Sequence, residues 1–167
     1  MSYRRGAAIP DEIGIIHNTA LGAYALWRFG VGHQDQCGSP PLVPLSFLVL
    51  PIVLHKPTVR HVESTRTGSG LALFAAKLGQ ERENLLAVHT RALAMRGLSL
   101  EAIGVAAATG LATLDHAEAR MRSNTIGIRR PDLPVGLKPI ASAAEKLGHW
   151  FAMVGPAQVG THLAVRF

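Results

Sequence analysis

Histidines and acidic residues are the side chains in this sequence whose chemistry would suit metal binding or proton transfer. There are eight histidines and eleven acidic residues. No two histidines have the HxH, HxxxH or HExxH spacing that places two ligands on one face of a strand or helix. The acidic residues do not cluster with the histidines at such a spacing either. The sequence therefore predicts no metal site and no cofactor.

Residues for nucleophilic catalysis or phosphate binding are also sparse. Cys37 is the only cysteine, and it lies in a polar segment near His33 with no third group to activate it. The TGSG segment at 67–70 lacks the Lys-Ser or Lys-Thr of a phosphate-binding loop, so it is interpreted as a helix cap. Paired acids stand where helices are expected to begin: Asp11, Glu12, Glu81 and Glu83. The chain is predicted to have no catalytic residues and not to be an enzyme.

Four arginines between residues 120 and 130 form the densest basic region. The chain carries a net charge of +6, a balance that attracts anions such as nucleic acid phosphates or an acidic protein partner. The remaining positive charges are spread along the sequence. The candidate nucleic-acid contacts are Arg120, Arg122, Arg129 and Arg130.

The segment from Pro44 to Pro57, PLSFLVLPIVLHKP, is the most apolar stretch of the chain. Its apolar run covers only residues 42–54, and a membrane-spanning helix needs about 20 residues. A central strand is disfavoured because Pro51 would remove a ladder hydrogen bond. The segment is therefore predicted to be a buried helix that starts at Pro44, is kinked or restarted at Pro51, and ends before Pro57. Its exposed end is a candidate partner contact: His55, Lys56 and Pro57.

Helical periodicity covers most of the chain. A first helix is expected from about Pro10 or Asp11 to Phe29, followed by a loop from Gly30 to Pro41. A second loop is expected at 56–67. Further helices are predicted at about 70–78, 81–95, 100–109 and 137–154, with a short helix beginning at Pro156. Three of them have a predicted inward face: Leu71, Phe74, Ala75 and Leu78 in the first, Leu85, Val88, His89 and Ala92 in the second, and Ile140, Ala144, Leu147 and Phe151 in the last.

A small hairpin interrupts the helices. Ala112–Leu114 and Ala119–Arg122 read as strands around a turn at Asp115–Glu118. Three short helices followed by a hairpin is the order of a winged helix-turn-helix. The predicted fold class is mainly α, with a winged helix-turn-helix-like core, a small β-hairpin, and N- and C-terminal packing helices.

This order of elements also predicts the domain organisation. The chain is expected to be one domain over residues 1–167. Its winged-helix-like core is placed at about 66–124, between helices at 10–57 and 134–167. One cysteine suits a reducing compartment, and no apolar segment follows Arg4 and Arg5, so no signal peptide is expected and the predicted location is the cytoplasm.

The helix before the hairpin is unusual in composition. Residues 101–110 read EAIGVAAATG, which has almost no side chains that read base edges. Because it also lacks a polar face, it is predicted to pack closely against neighbours. The composition favours protein docking over DNA reading.

Several blocks of the sequence together resemble a known family. They are NTALGAYALWRFGVGHQ, PLSFLVLPIVLHKPTVRHVEST, TGSGLALFAAKLGQERENLLAVHTRALAMR, GLATLD and AEKLGHWFA. The chain resembles the middle component of bacterial three-component ABC-ATPase systems over about residues 18–167. The family is identified by pattern and not by catalytic residues.

The resemblance implies a small, non-enzymatic adaptor with a winged-helix-like core. Such a component would couple an SMC-like ABC ATPase to an effector in a bacterial system directed against phage or other mobile elements. Its implied partners are the ATPase and the effector, with DNA as a further candidate and no membrane. The alternative is a DNA-binding winged-helix protein, either a regulator or a DNA sensor.

Overall fold

Two long helices, Thr19–Cys37 and Lys138–Val154, lie against each other at the centre of the protein, and the other elements pack around them. The computed structural model describes residues 18–167. In chain order the elements are α1 Thr19–Cys37, α2 Val43–Ser46, α3 Val49–Val53, α4 Lys56–Glu63, a 3-10 turn Thr67–Ser69, α5 Gly70–Gly79, α6 Arg82–Ala94, α7 Arg96–Ala108, β1 Ala112–Asp115, β2 Arg120–Ser123, α8 Lys138–Val154 and α9 Pro156–Leu163. The predicted mainly α fold with a small hairpin is confirmed.

Helix α1 begins and ends at residues that satisfy its terminal backbone groups. The Asn18 side chain accepts a hydrogen bond from the Leu21 amide at 3.0 Å, and Gly38 ends the helix with φ 73°. The loop predicted from Gly30 is therefore wrong up to Cys37, because the chain is still helical there. The part of the predicted first helix before residue 18 lies outside the described residues.

Glycines explain how closely α1 and α8 approach. A Cβ at Gly32 would overlap the Glu145 backbone carbonyl, and a Cβ at Gly148 would overlap that of Phe29. The two backbones therefore meet where neither helix has a side chain. Gly32, which was predicted to lie in a loop, is helical here because this packing outweighs the low helix propensity of glycine.

The apolar segment is buried, as predicted, but it is divided differently. Pro44 lies in the first turn of α2, as expected. The break falls at Phe47–Leu48, ahead of Pro51, which lies in the first turn of α3. Residues 56–63, predicted as loop, form α4, because Pro57 also stands in a first turn and fixes a helical φ there. No helix among residues 18–167 is long and apolar enough to cross a membrane.

Helices α5 and α6 follow the predicted boundaries closely, but α7 differs. α5 buries the predicted face of Leu71, Phe74, Ala75 and Leu78. α7 begins at Arg96, earlier than expected, and buries only one side, including Ala102 and Ala106. Gly104 and Ala107 on its other side are exposed. The predicted close packing of α7 is therefore present on that side, against α1, and the other side is open to solvent.

The hairpin has the predicted strands and turn. β1 and β2 are antiparallel, with Ala112 opposite Ser123 and Asp115 opposite Arg120. The Asp115 side chain accepts hydrogen bonds from the Ala117 and Glu118 amides, both at 3.0 Å, which fixes the turn. The helices before the hairpin follow the order of a winged helix, and that more specific assignment stays a prediction, as does the division at 66–124.

Side chains of α1 hold the hairpin. The Gln34 amide donates to the Ser123 carbonyl at 3.1 Å and accepts from the Ser123 amide at 2.7 Å. The Ser123 hydroxyl donates to the Trp27 carbonyl at 2.8 Å. These three hydrogen bonds replace the ladder partners that β2 lacks on that side.

Helix α8 completes the core. It buries the predicted Ile140, Ala144, Leu147 and Phe151, and Phe29 packs edge-on against Phe151 at a centroid distance of 5.5 Å. The short helix predicted at Pro156 is confirmed, and after it the chain continues without regular structure to residue 167.

Candidate functional site

Arg120 binds the protein itself. Its guanidinium donates to the Pro40 carbonyl at 2.6 Å, and the backbone beside it pairs with the segment after α1 through Met121 N to Pro41 O at 3.1 Å. The side chain is half-buried. Its position is that of a residue fixing the hairpin to the body of the protein.

Arg130 is also engaged. Its guanidinium lies over the Trp27 ring at 5.7 Å and is 3.7 Å from the Glu145 carboxylate. Glu145 at the same time accepts a short hydrogen bond from Arg28. Burial lowers the pKa of Arg28, but hydrogen bonds to Tyr24 and Glu145 outweigh it, so that pKa is raised. Arg28 therefore stays a permanent cation beside Glu145.

Arg122 and Arg129 are the two arginines of the candidate set that stay exposed without a hydrogen bond or ion pair among the described residues. Arg122 lies on β2 and Arg129 in the loop that follows. In the sequence all four arginines were equal candidates. In the structure only Arg122 and Arg129 of the four lack an internal partner and are available to an external anion.

The candidate partner corner lies at the start of α4. Lys56 and Pro57 are exposed, while His55 is half-buried and lies 2.7 Å from the Thr58 hydroxyl. Arg91 of α6 donates to the same hydroxyl at 3.1 Å and to the Pro51 carbonyl at 3.1 Å. Burial lowers the pKa of Arg91. The corner is thus firmly held to α6, and its contact with a partner stays a prediction.

The structure brings together one group of metal-ligating side chains that the sequence did not indicate. Asp35 of α1 and Glu145 and His149 of α8 place ligand atoms within 4.8 Å of one another. The close helix crossing produces this group, which linear spacing cannot show. Arg28 and Arg130 already neutralise Glu145, and a cation would compete with both. We therefore assign no metal to this group.

Lys146 of α8 is a further cation with an internal role. Its ammonium donates to the Val62 and Thr65 carbonyls at 3.0 and 2.9 Å, which lie at the end of α4. Burial lowers its pKa, with Glu63 opposing that effect and Lys77 adding to it. The lysine satisfies carbonyls at a helix C-terminus and so serves the fold.

Exposed leucines mark the surface of α6 and α7. Leu86 is 52% exposed and Leu93 is 63% exposed. They stand seven residues apart in one helix, which places them on the same side. Leu100 of α7 is 52% exposed as well. The predicted inward stripe of α6 is correct only in part: Val88 is buried, whereas Leu85, His89 and Ala92 are half-buried.

Below Leu93 the surface deepens into an apolar groove. It lies between α2, the C-terminal part of α6 and residues 165–167, and its volume is about 360 Å³. No sequence signal pointed to it, because its walls come from three segments far apart in the chain.

These features place the chain in the class of mainly α-helical proteins. Its described residues contain one two-stranded hairpin, and α6 carries an apolar surface. The family model described as ABC-three component (ABC-3C) system Middle Component 3 matches residues 7–167, and the chain belongs to that family. The resemblance found in the sequence is confirmed. No curated protein and no solved structure matches the chain.

Proposed function

We propose that the protein is a non-enzymatic adaptor that couples an SMC-like ABC ATPase to an effector, in a bacterial system directed against phage or other mobile elements. Its family supports a role among several components. The observation that carries the proposal is the pair of exposed leucines on one side of α6, Leu86 and Leu93. Exposed leucines on one side of a helix, one of them at the rim of an apolar groove, are typical of a surface that a partner covers.

Co-purification tests this function directly. The chain is co-expressed with the ABC ATPase and the effector encoded beside it, and the complex is isolated through a tag on the ATPase. We expect a complex at micromolar concentration or below. Absence of a complex with either component at micromolar concentration would remove the adaptor function.

Paired substitutions locate the surface. Leu86→Asp places a charge within the proposed contact and should weaken the complex at least about tenfold, because a buried unpaired carboxylate costs several kcal/mol. Leu73→Asp is the matched control, since Leu73 is 43% exposed on α5. Equal affinity of the two variants would place the contact elsewhere.

The adaptor proposal assigns no reaction to this chain. ATP hydrolysis would belong to the ATPase, and the effector would carry any further chemistry. Purified chain alone is expected to hydrolyse no ATP, and addition of the chain to the ATPase should change the rate only through the complex. Hydrolysis by the isolated chain at the rate of the complex would overturn this assignment.

DNA binding is the second candidate, and the two free arginines, Arg122 and Arg129, favour it. If both contact phosphates, Arg122→Gln with Arg129→Gln should lower duplex affinity and reduce the slope of log affinity against log salt by about 2. Arg82→Gln, an exposed arginine at the start of α6, is the control. An unchanged slope in the double variant excludes this surface as the DNA contact.

A further inference from the structure

The groove below Leu93 is apolar and open to solvent. Its walls include Phe47 between α2 and α3, Leu93 of α6 and Phe167 at the end of the described chain. Leu93 and Phe167 are each 63% exposed, so two large apolar side chains at the rim face water. Small-molecule sites enclose 70–90% of their ligand, and an open groove of this kind suits one face of a peptide better.

The groove also carries uncompensated positive charge. Arg96 and Arg166 border it, both exposed, and neither forms an ion pair or hydrogen bond among the described residues. No acidic residue is among those that line it. A carboxylate on the occupant would therefore find two free guanidinium groups, which bind carboxylates with paired hydrogen bonds.

We propose that this groove binds a short peptide segment of a partner component, one that presents apolar side chains and at least one carboxylate. The inference rests on the adaptor function proposed above and names the chemistry of the partner at that surface. A second copy of this chain is a poorer occupant, because each copy carries a net charge of +6 and would bring more positive charge to the arginines.

A random peptide library displayed on phage tests the groove without any ATPase or effector. Peptides are selected on the wild-type protein alone, and the enriched sequences are synthesised with a fluorophore for anisotropy. We expect enriched peptides that combine apolar residues with Asp or Glu. Leu93→Asp should weaken their binding at least about tenfold, and Arg96→Gln or Arg166→Gln about threefold each.

Controls make each outcome decisive. Leu73→Asp changes an equally large exposed leucine outside the groove and should bind the peptides as the wild type does. Peptides that bind Leu93→Asp and wild type equally, or peptides without acidic residues, would overturn the proposal. Self-association that Leu93→Asp abolishes would instead identify a second copy as the occupant and overturn it too.

Different results would contradict the adaptor function and the peptide groove. If the chain co-purifies with the ATPase and Leu93→Asp leaves that complex intact, the adaptor function stands and the groove is not its contact. If selected peptides bind the groove but no complex with the ATPase or effector forms, the groove is a peptide site and the adaptor function fails.

Discussion

The α1–α8 crossing and the α6 surface differ in the size of the side chains that they present and in whether those side chains are covered. At the crossing, Gly32 and Gly148 remove side chains so that two backbones touch. On α6, Leu86 and Leu93 keep large side chains that nothing in the described chain covers. The crossing holds the fold, whereas the α6 surface is available for a partner. Substitutions at the crossing should therefore change stability, and those on α6 should change binding.

The largest effect is expected at Gly148. A Cβ there would overlap the Phe29 carbonyl oxygen and lie 2.7 Å from the His33 amide nitrogen. Because both neighbours are backbone, neither moves without shifting a helix. Gly148→Ala should lower the free energy of unfolding by about 3 kcal/mol or more, measured by urea denaturation.

Gly104 on α7 is the matched control, because no atom lies within 4 Å of a Cβ there. Gly104→Ala should raise the free energy of unfolding by about 0.5–1 kcal/mol through helix propensity alone. Equal stabilities for the two alanine variants would show that the helices do not approach as closely as described.

A smaller effect is expected where α1 holds the hairpin. Gln34→Ala removes both hydrogen bonds to Ser123 and leaves the backbone amide and carbonyl of Ser123 without protein partners. The free energy of unfolding should fall by about 1–3 kcal/mol. Gln34→Glu keeps an acceptor for the Ser123 amide and should recover part of the loss. Gln36→Ala, exposed two residues away, should be neutral; a similar loss there would mean that the helix and not the hydrogen bonds is responsible.

The next effect depends on pH. His33 is buried, and burial lowers its pKa from the usual 6.5, while the hydrogen bond at 2.8 Å to the Ser39 carbonyl opposes the shift and Arg120 adds to it. Below pH 6.5 the unfolded chain therefore binds more protons at this position than the folded chain. The stabilisation that neutral His33 contributes is fully present above pH 6.5. As the pH falls below 6.5 it decreases, by at most about 1.4 kcal/mol per pH unit.

Denaturation at pH 7.5 and 5.5 measures this contribution of His33. His33→Asn keeps a donor for the Ser39 carbonyl but does not titrate. The wild type should lose more stability than this variant between the two pH values. An equal loss in both proteins would assign the pH dependence to the other histidines.

The sequence predicted the local features of this fold well. The hairpin was found because Asp115 fixes its own turn, and the buried face of α5 because its leucines repeat at helical spacing. The predictions were wrong where the local conformation depends on a contact with a residue distant in the sequence. Gly30 and Gly32 read as a loop, since nothing local reveals that Ser123 and Glu145 lie against them.

The same limit applied to the candidate contact residues. Counting charges identified Arg120 and Arg130 together with Arg122 and Arg129, but only the folded chain shows that the Pro40 carbonyl and Glu145 occupy the first two. The groove could not be predicted at all, because α2, α6 and residues 165–167 meet only in three dimensions. A single charged residue can be recognised in a sequence, whereas a surface built from several distant segments cannot.

The smallest change in stability is expected on α6. Leu86→Ala removes a side chain that is half in water, so the free energy of unfolding should stay within about 0.5 kcal/mol of the wild type. Leu147→Ala in α8 removes a fully buried side chain of the same size and should cost about 2–5 kcal/mol. Urea denaturation of the two variants compares the surface with the core directly. Comparable losses would mean that α6 serves the fold as α8 does, and the reason to expect a partner on its exposed leucines would disappear.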